Sequence, residues 1–248
     1  MKQTWLIMGM PISVVIEDEA ADAAAFKMVY DYFHYVDKKY SPYKTASEVS
    51  KINAGLPPSK QSKEMKTILR LCEKTKKQTQ GYFDAYRAGK LDPSGLVKGW
   101  AINNAAKLLG KSGFKNFYID AGGDIQVSGR NGDGQPWSVG IRNPLKPDEI
   151  VKVVRVSGRE GIATSGTYVR GQHIYNPHDD EEITDVASLT VIGPSIYDAD
   201  RFATAAFAMG KRGIRFIESL AGHEAYMITG NRLAILTSGF ERYVEATP

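Results

Sequence analysis

The spacing of the apolar residues changes character along the chain, and this change constrains the fold more than any single motif does. Between Glu17 and Tyr40, Ala25, Met28, Val29, Tyr32, Phe33 and Val36 recur at helical spacing, which predicts an amphipathic helix ended by Ser41-Pro42. Lys63 to Thr79 reads as a second long helix, and Gly95 to Lys111 as a third, closing near Gly110 and Gly113. A short helix from Ser47 to Asn53, with Ser47 as N-cap, sits between the first two. From Phe117 onward the pattern is different. Short runs at Phe117 to Asp120, Asp124 to Ser128, Trp137 to Arg142, Val151 to Val156, Gly161 to Thr164 and Leu189 to Gly193 read as strands. Thr4 to Ile16, apolar and β-branched, reads as one further strand, and Gly81 to Leu91 as irregular chain.

Turn chemistry completes the outline. Asn131-Gly-Asp-Gly134 predicts a hairpin, and Gly230-Asn231 a second one joining Tyr226 to Thr229 with Leu233 to Thr237. Ser195 to Met209 forms a fourth helix: Asp198 stands three residues after Ser195 in a capping-box-like start, and Gly210 supplies the stop. Gly213 to Leu220 continues helically. Helices and hairpin-linked strands in separate blocks predict an α+β fold with mostly antiparallel sheet and packed helices, with residues 1–248 forming one compact unit.

Composition narrows the function classes. With 42% hydrophobic and 24% charged residues among 248, the chain has ample core material and is not of the disordered class. A formal net charge of +4, scattered rather than clustered, gives no footprint for nucleic acid. Cys72 is the single cysteine, so no intramolecular disulfide and no thiolate metal site can form, and its place in an amphipathic stretch fits a buried structural thiol. No stretch approaches the roughly 20 apolar residues that span a bilayer. The early residues, with one Lys and a broken apolar run ahead of Glu17, Asp18 and Glu19, lack a signal-peptide pattern, so a cytoplasmic protein is expected.

Four islands have residue choices that folding alone explains poorly, and each has a plain structural reading beside the chemical one. In Asp200-Arg-Phe-Ala-Thr204 a carboxylate and a hydroxyl share one helix face at i and i+4, a hard-oxygen pair suited to Mg²⁺; alternatively the aspartates near the helix start only complement its dipole. Leu91-Asp-Pro-Ser-Gly-Leu-Val-Lys-Gly99 leads into a helix start, where exposed N–H groups and Lys98 could hold phosphate, or form a simple cap and turn. Ile119-Asp-Ala-Gly-Gly-Asp124 implies tight backbone geometry or close approach of a ligand. Gly161-Ile-Ala-Thr-Ser-Gly166, followed by His173-Ile-Tyr-Asn-Pro177, could bind phosphate oxygens and move a proton, or be a strand end and a packed histidine.

Taken in order, these islands resemble the flavin transferase family of the ApbE type, the FAD:protein FMN transferases. Met8-Gly9-Met10 resembles the family's Met-Gly-Thr strand, and Tyr40 to Asn53 its segment with an aromatic and a basic residue before Ser-Glu-Leu and Leu-Asn. Gly81-Tyr-Phe-Asp84 is similar to Gly-Ala-Phe-Asp, and Asp92 to Trp100 to Asp-Leu-Gly-Gly-Ile-Ala-Lys-Gly-Tyr. Asp120 to Ile125, Ala163 to Gly166, His173 to Pro177 and Ala199 to Thr204 are similar to Asn-Ala-Gly-Gly-Asp-Ile, Ala-Thr-Ser-Gly, His-Ile-Ile-Asp-Pro and Ala-Asp-Ala-Leu-Ala-Thr.

The resemblance implies transfer of the FMN half of FAD to a Thr or Ser hydroxyl of a partner flavoprotein, with release of AMP. It implies Mg²⁺ held by Asp200, Thr204 and the Gly95 carbonyl, with Asp200 and His173 in catalysis. Asp92 and Lys98 would contact FAD; Met8, Tyr43, Tyr82, Phe83 and Asp84 would line its pocket, and Thr164 and Ser165 would lie near its diphosphate or flavin. No Asp-Gly-x-Thr-Gly-Ala-Thr type acceptor motif occurs in the chain, which argues against self-flavinylation. The sequence departs from the pattern in four places, one being the lipoprotein-type signal and Cys often seen in the family, whose lack here fits a cytoplasmic variant. Only Ala85 to Leu91 separates the Gly81 and Asp92 motifs where the family has a longer stretch, Asn176 replaces an Asp, and Pro93 an aliphatic residue. The shortened stretch keeps two alternatives open: a Mg²⁺-dependent FAD diphosphatase yielding FMN and AMP, and a non-catalytic FAD-binding protein.

Overall fold

The computed structural model describes residues 1–166 and 174–244. The region expected as one strand is a hairpin, β1 (Lys2–Ile7) and β2 (Met10–Ile16), because Met8 and Gly9 take φ of 57° and 71°, the left-handed pair that a two-residue turn requires. After β2, α1 (Ala23–Tyr40) starts later than the expected Glu17 and just ahead of its first periodic residue, Ala25; Asp22 is the N-cap, accepting from the Ala25 N–H at 2.9 Å. Two more helices follow, α2 (Glu48–Asn53), capped by Ser47, and α3 (Lys63–Gln78), capped by Ser62. The supposedly irregular 81–91 stretch contains a small hairpin, β3 (Tyr86–Arg87) and β4 (Lys90–Leu91), turned through Ala88 and Gly89 at φ 47° and 74°.

Next come α4 (Ser94–Lys111), β5 (Phe117–Ala121), β6 (Asp124–Ser128), β7 (Trp137–Asn143), β8 (Lys146–Val156), β9 (Gly161–Gly166) and β10 (Val186–Gly193). The chain closes with α5 (Ile196–Ala208), α6 (Gly213–Glu218), β11 (Glu224–Thr229) and β12 (Ala234–Leu236). Among the described residues, eight strands form one sheet in the order β1-β2-β5-β6-β9-β10-β11-β12, and every neighbouring pair is antiparallel. This is an α+β architecture, as expected. The turn at Asn131–Gly134 forms, closed by the Gly134 N–H on the Asn131 carbonyl at 2.9 Å, but does not join paired strands. Instead β7 leaves the main sheet and pairs with β8.

The sheet is buried on both faces, and strand alternation assigns each side chain to one of them. In β2, Ile12, Val14 and Ile16 face the helices while Val15 faces away. In β11, Ala225 and Met227 face the helices while Tyr226 and Ile228 face away. The far face is covered by the β7–β8 hairpin, through Trp137, Ile141, Val154 and Val156, and by the turn at Phe240–Tyr243. On the helical side, Phe26, Phe33, Phe117 and Phe207 are fully buried, each contributing roughly 1.5–3 kcal/mol relative to exposure. Ten of the thirteen residues of α5 are buried, so this helix is the centre of the helical layer rather than a surface element. No helix among the described residues is long and apolar enough to cross a membrane.

Candidate functional site

Three features fix α5 and thereby the polar side chains it carries. Ser195 caps it, accepting from the Asp198 N–H at 3.2 Å and donating its hydroxyl to Asp198 Oδ2 at 2.7 Å. The buried Gln126 of β6 accepts the Ile196 N–H at 2.8 Å. Gly161 of β9 lets the helix start lie directly on the strand, since a Cβ there would fall 2.0 Å from the Ile196 nitrogen. Arg201 then ties α5 to α3: its guanidinium meets Asp198 Oδ1 at 2.7 Å and Gln78 Oε1 at 2.6 Å, and it lies over the Phe202 ring.

Two glycines of α4 let α5 approach closely. Gly95 sits opposite Thr204 and Gly99 opposite Asp200, so two i, i+4 pairs interlock. A Cβ on Gly99 would lie 2.7 Å from Asp200 Cβ and 2.8 Å from the Ile196 carbonyl oxygen. The contact is used: the Gly99 N–H donates to Asp200 Oδ2 at 2.8 Å. One residue earlier, the Lys98 ammonium is 3.2 Å from Asp200 Oδ1 and is also paired with Asp124 Oδ2.

Asp124 reaches this point from the opposite wall. The β5–β6 turn uses Gly122 and Gly123 at φ 65° and 97°, and a side chain on Gly122 would also press on Met10 Sδ at 3.1 Å. That turn sets Asp124 as the first residue of β6, where its Oδ1 accepts the Thr164 N–H at 3.0 Å. Both carboxylates are 2% exposed. Burial pushes the Asp200 carboxyl up to about 7; the Lys98 ammonium opposes this and Asp124 reinforces it. A carboxylate–ammonium–carboxylate cluster thus sits at the junction of α4, α5 and β6.

The cluster lies at the bottom of a cleft of about 1090 Å³, large for a small-molecule site. Among the expected residues, Gly95, Lys98, Thr164, Ser165, Asp200 and Thr204 line it together. Tyr82, Phe83, Asp84 and Asp92 line it as well. Phe83 is 3% exposed and mostly part of the core, and Asp84 is held by Lys76 at 2.6 Å and the Tyr86 N–H at 2.9 Å. Asp92 Oδ1 accepts the Ser94 N–H at 3.0 Å beside the start of α4, whose cap at Pro93 provides no side-chain acceptor. His173 lies outside the described residues.

Two expected pocket residues stand elsewhere. Met8 is in the β1–β2 turn and packs against the helical core; its neighbours Gly9, Met10 and Pro11 line the cleft in its stead. Tyr43 is 90% exposed, just beyond α1, and is not among the lining residues. Conversely, Asp124 and Gly99 join the cluster although neither was singled out as a ligand-binding side chain; the Gly-Gly-Asp run and the Lys-Gly pair were their signals. Arg87 was missed entirely. From the β3–β4 hairpin it stacks on Tyr175 at 3.4 Å to the ring centre and pairs with Asp180 at 2.9 Å, and all three residues line the cleft. No periodicity or motif marks it.

The sequence profile of the ApbE family matches residues 8–89 and 85–227. A FAD:protein FMN transferase of Vibrio cholerae is 31% identical over 166 residues, 63% of this chain and 48% of that protein; the chain thus spans about half the length of this curated relative. Among solved structures, the flavin transferase ApbE from Vibrio cholerae superposes with a TM-score of 0.85 at 22% identity, covering 98% of this chain and 99% of that one. The ApbE protein from Thermotoga maritima gives 0.87 at 18%, covering 99% of each. These structural matches bear on the fold.

Proposed function

The chain belongs to the ApbE family, and from that premise we propose that it moves the FMN half of FAD onto a Thr or Ser hydroxyl of a partner protein, releasing AMP, with Mg²⁺ as cofactor. The observation that carries the proposal is the buried Asp124–Lys98–Asp200 cluster at the foot of a cleft large enough for a dinucleotide. The cleft draws on residues from Gly9 to Thr204, so that span acts as one functional unit in this reading.

Charge supports a cation in this cleft. Its lining includes Asp84, Asp92, Asp120, Asp124, Asp180 and Asp200, against three basic side chains, Arg87, Lys98 and Arg142. With Asp84 paired to Lys76 and Asp180 to Arg87, four carboxylates still face Lys98 and Arg142, so the wall disfavours a diphosphate unless a cation intervenes. Among the described residues no three His, Cys, Asp or Glu side chains form a metal cage. The fitting donors are hard oxygens: the Asp200 carboxylate, the Thr204 hydroxyl and the Gly95 carbonyl, with phosphate oxygens completing the shell, as Mg²⁺ prefers. When bound, the ion would neutralise charge on the diphosphate as the leaving AMP oxygen becomes anionic.

The chain's own groups do the positioning. Asp92 and the start of α4, through Ser94 and Gly95 of the cleft wall, receive the FAD, and Lys98 adds a positive charge at the diphosphate. Thr164 and Ser165 border the same region, and Tyr82, its hydroxyl accepting from Arg212 at 2.7 Å, gives a fixed aromatic wall. The acceptor oxygen attacks the phosphorus on the FMN side, the bridging P–O bond breaks toward AMP, and the hydroxyl proton is assigned to His173. The direct test is Asp200→Ala. AMP release from FAD should vanish while FAD binding survives in weakened form; wild-type turnover in the variant would remove Asp200 from the metal site.

A further inference from the structure

Lys98 stands against one oxygen of Asp200, the carboxylate assigned above to the metal. It projects from α4 one turn beyond Gly95, and its ammonium bridges two carboxylates from separate elements, Asp124 of β6 and Asp200 of α5. The two oxygens of Asp200 are already committed. Oδ2 accepts the Gly99 N–H at 2.8 Å, inside a helix contact too tight for any side chain at residue 99. Oδ1 is the oxygen facing Lys98, at 3.2 Å, and it is the one left for a ligand. Two carboxylates this deeply buried need a compensating charge whether or not a divalent cation is present. Lys98 supplies it, and at 20% side-chain exposure, against 3% for each carboxylate, it is the member of the cluster that can move toward the cleft.

We propose that Lys98 is a resident counter-ion that competes with the divalent cation: it holds Asp200 Oδ1 in the metal-free protein and must give up that oxygen when the metal binds, keeping its hold on Asp124. The inference rests on the metal-dependent reading above and adds a consequence of opposite sign to the obvious one. A lysine that served only to grip FAD would leave metal affinity unchanged when FAD is absent. A lysine that occupies the metal's oxygen weakens it.

The test is titration of Mn²⁺ into the FAD-free protein, following the free hydrated ion by electron paramagnetic resonance; Mn²⁺ accepts the same hard-oxygen donors as Mg²⁺. Lys98→Met should bind Mn²⁺ about tenfold more tightly or better than wild type, because a buried competing charge is removed. Equal or weaker binding would overturn the proposal. Should that variant not fold without metal, Asp124→Asn decides: Lys98 then falls to Asp200 alone, and Mn²⁺ binding should weaken severalfold, whereas unchanged binding overturns the idea. Wild-type AMP release from FAD with Mn²⁺ is measured in parallel. Release without tighter binding by Lys98→Met defeats the displacement alone; neither binding nor release in wild type defeats the metal-dependent function and the displacement with it.

Discussion

Gly99→Ala offers a sharp test of how the site is built, because two opposing effects can be sized in one helix. In an exposed helix interior, replacing Gly by Ala stabilises by about 0.8–1 kcal/mol. Gly110, near the end of α4, has nothing within 4 Å of its missing Cβ, so Gly110→Ala should show that gain. At Gly99 the new Cβ would lie 2.7 Å from Asp200 Cβ, 2.8 Å from the Ile196 carbonyl and 2.9 Å from Asp200 Oδ2. The first of these is about 0.7 Å inside ordinary contact, and two of the three neighbours cannot rotate away. Overpacking of this kind costs typically 1–3 kcal/mol, and parting α4 from α5 stretches the Gly99–Asp200 hydrogen bond, a charged one of about 1.5–3 kcal/mol. The net expectation is a loss of about 1–3 kcal/mol after the propensity gain. Urea denaturation of wild type and both variants measures it, with AMP release from FAD followed on the same samples. Activity in Gly99→Ala should fall further than its folded fraction accounts for, since Asp200 and Thr204 move together. A Gly99→Ala protein as stable and active as Gly110→Ala would refute the interlocked-helix account.

Three further outcomes follow from buried groups. Burial pushes the Cys72 thiol up to about 12, so at pH 8 a disulfide reagent should label native protein at least about a hundredfold more slowly than unfolded protein; comparable rates would place Cys72 at the surface. Burial lowers the His223 pKa from its ordinary value of 6.5, with Asp198 and Arg201 as its charged neighbours. The unfolded state therefore binds a proton that the native state resists. Stability is fully present above the ordinary value and declines as pH falls below it. His223→Leu should flatten that decline in thermal melts, and an unchanged slope would contradict the assignment. Arg201→Ala strands Asp198 and Gln78 and loosens α5 from α3; since Asp198 keeps some solvent contact, the loss should be about 2–3 kcal/mol by urea titration. A change within about 0.5 kcal/mol would mean the network does not anchor the helix.

Much of this architecture is legible in the sequence because its local signals agree with the tertiary result. Ser47, Ser62 and Ser195 all cap helices at positions set by the following apolar period. The misreadings occurred where one backbone angle decided the outcome. A stretch read as one apolar, β-branched strand hid the left-handed Met8–Gly9 turn, and a good turn sequence at Asn131 said nothing about which strands it would join. The residues of the cleft floor came from ordered motifs whose side chains converge across α4, α5 and β6. What the motifs could not express is pairing: that Lys98 bridges two carboxylates, and that Gly99 matters for the Cβ it lacks, depend on how closely two helices approach. Arg87 stacks on Tyr175 across 88 positions of sequence, with no local pattern at either end.

The most direct measurement incubates the wild-type protein with FAD and Mg²⁺, with and without a separate domain carrying a Thr acceptor, and follows AMP, free FMN and the intact mass of the acceptor together. The account predicts an acceptor heavier by one FMN, a matching amount of AMP, and loss of both when chelator removes the metal. AMP and free FMN in equal amounts with an unlabelled acceptor would make the protein a diphosphatase, and FAD left intact in the presence of metal would contradict a catalytic role for the cleft.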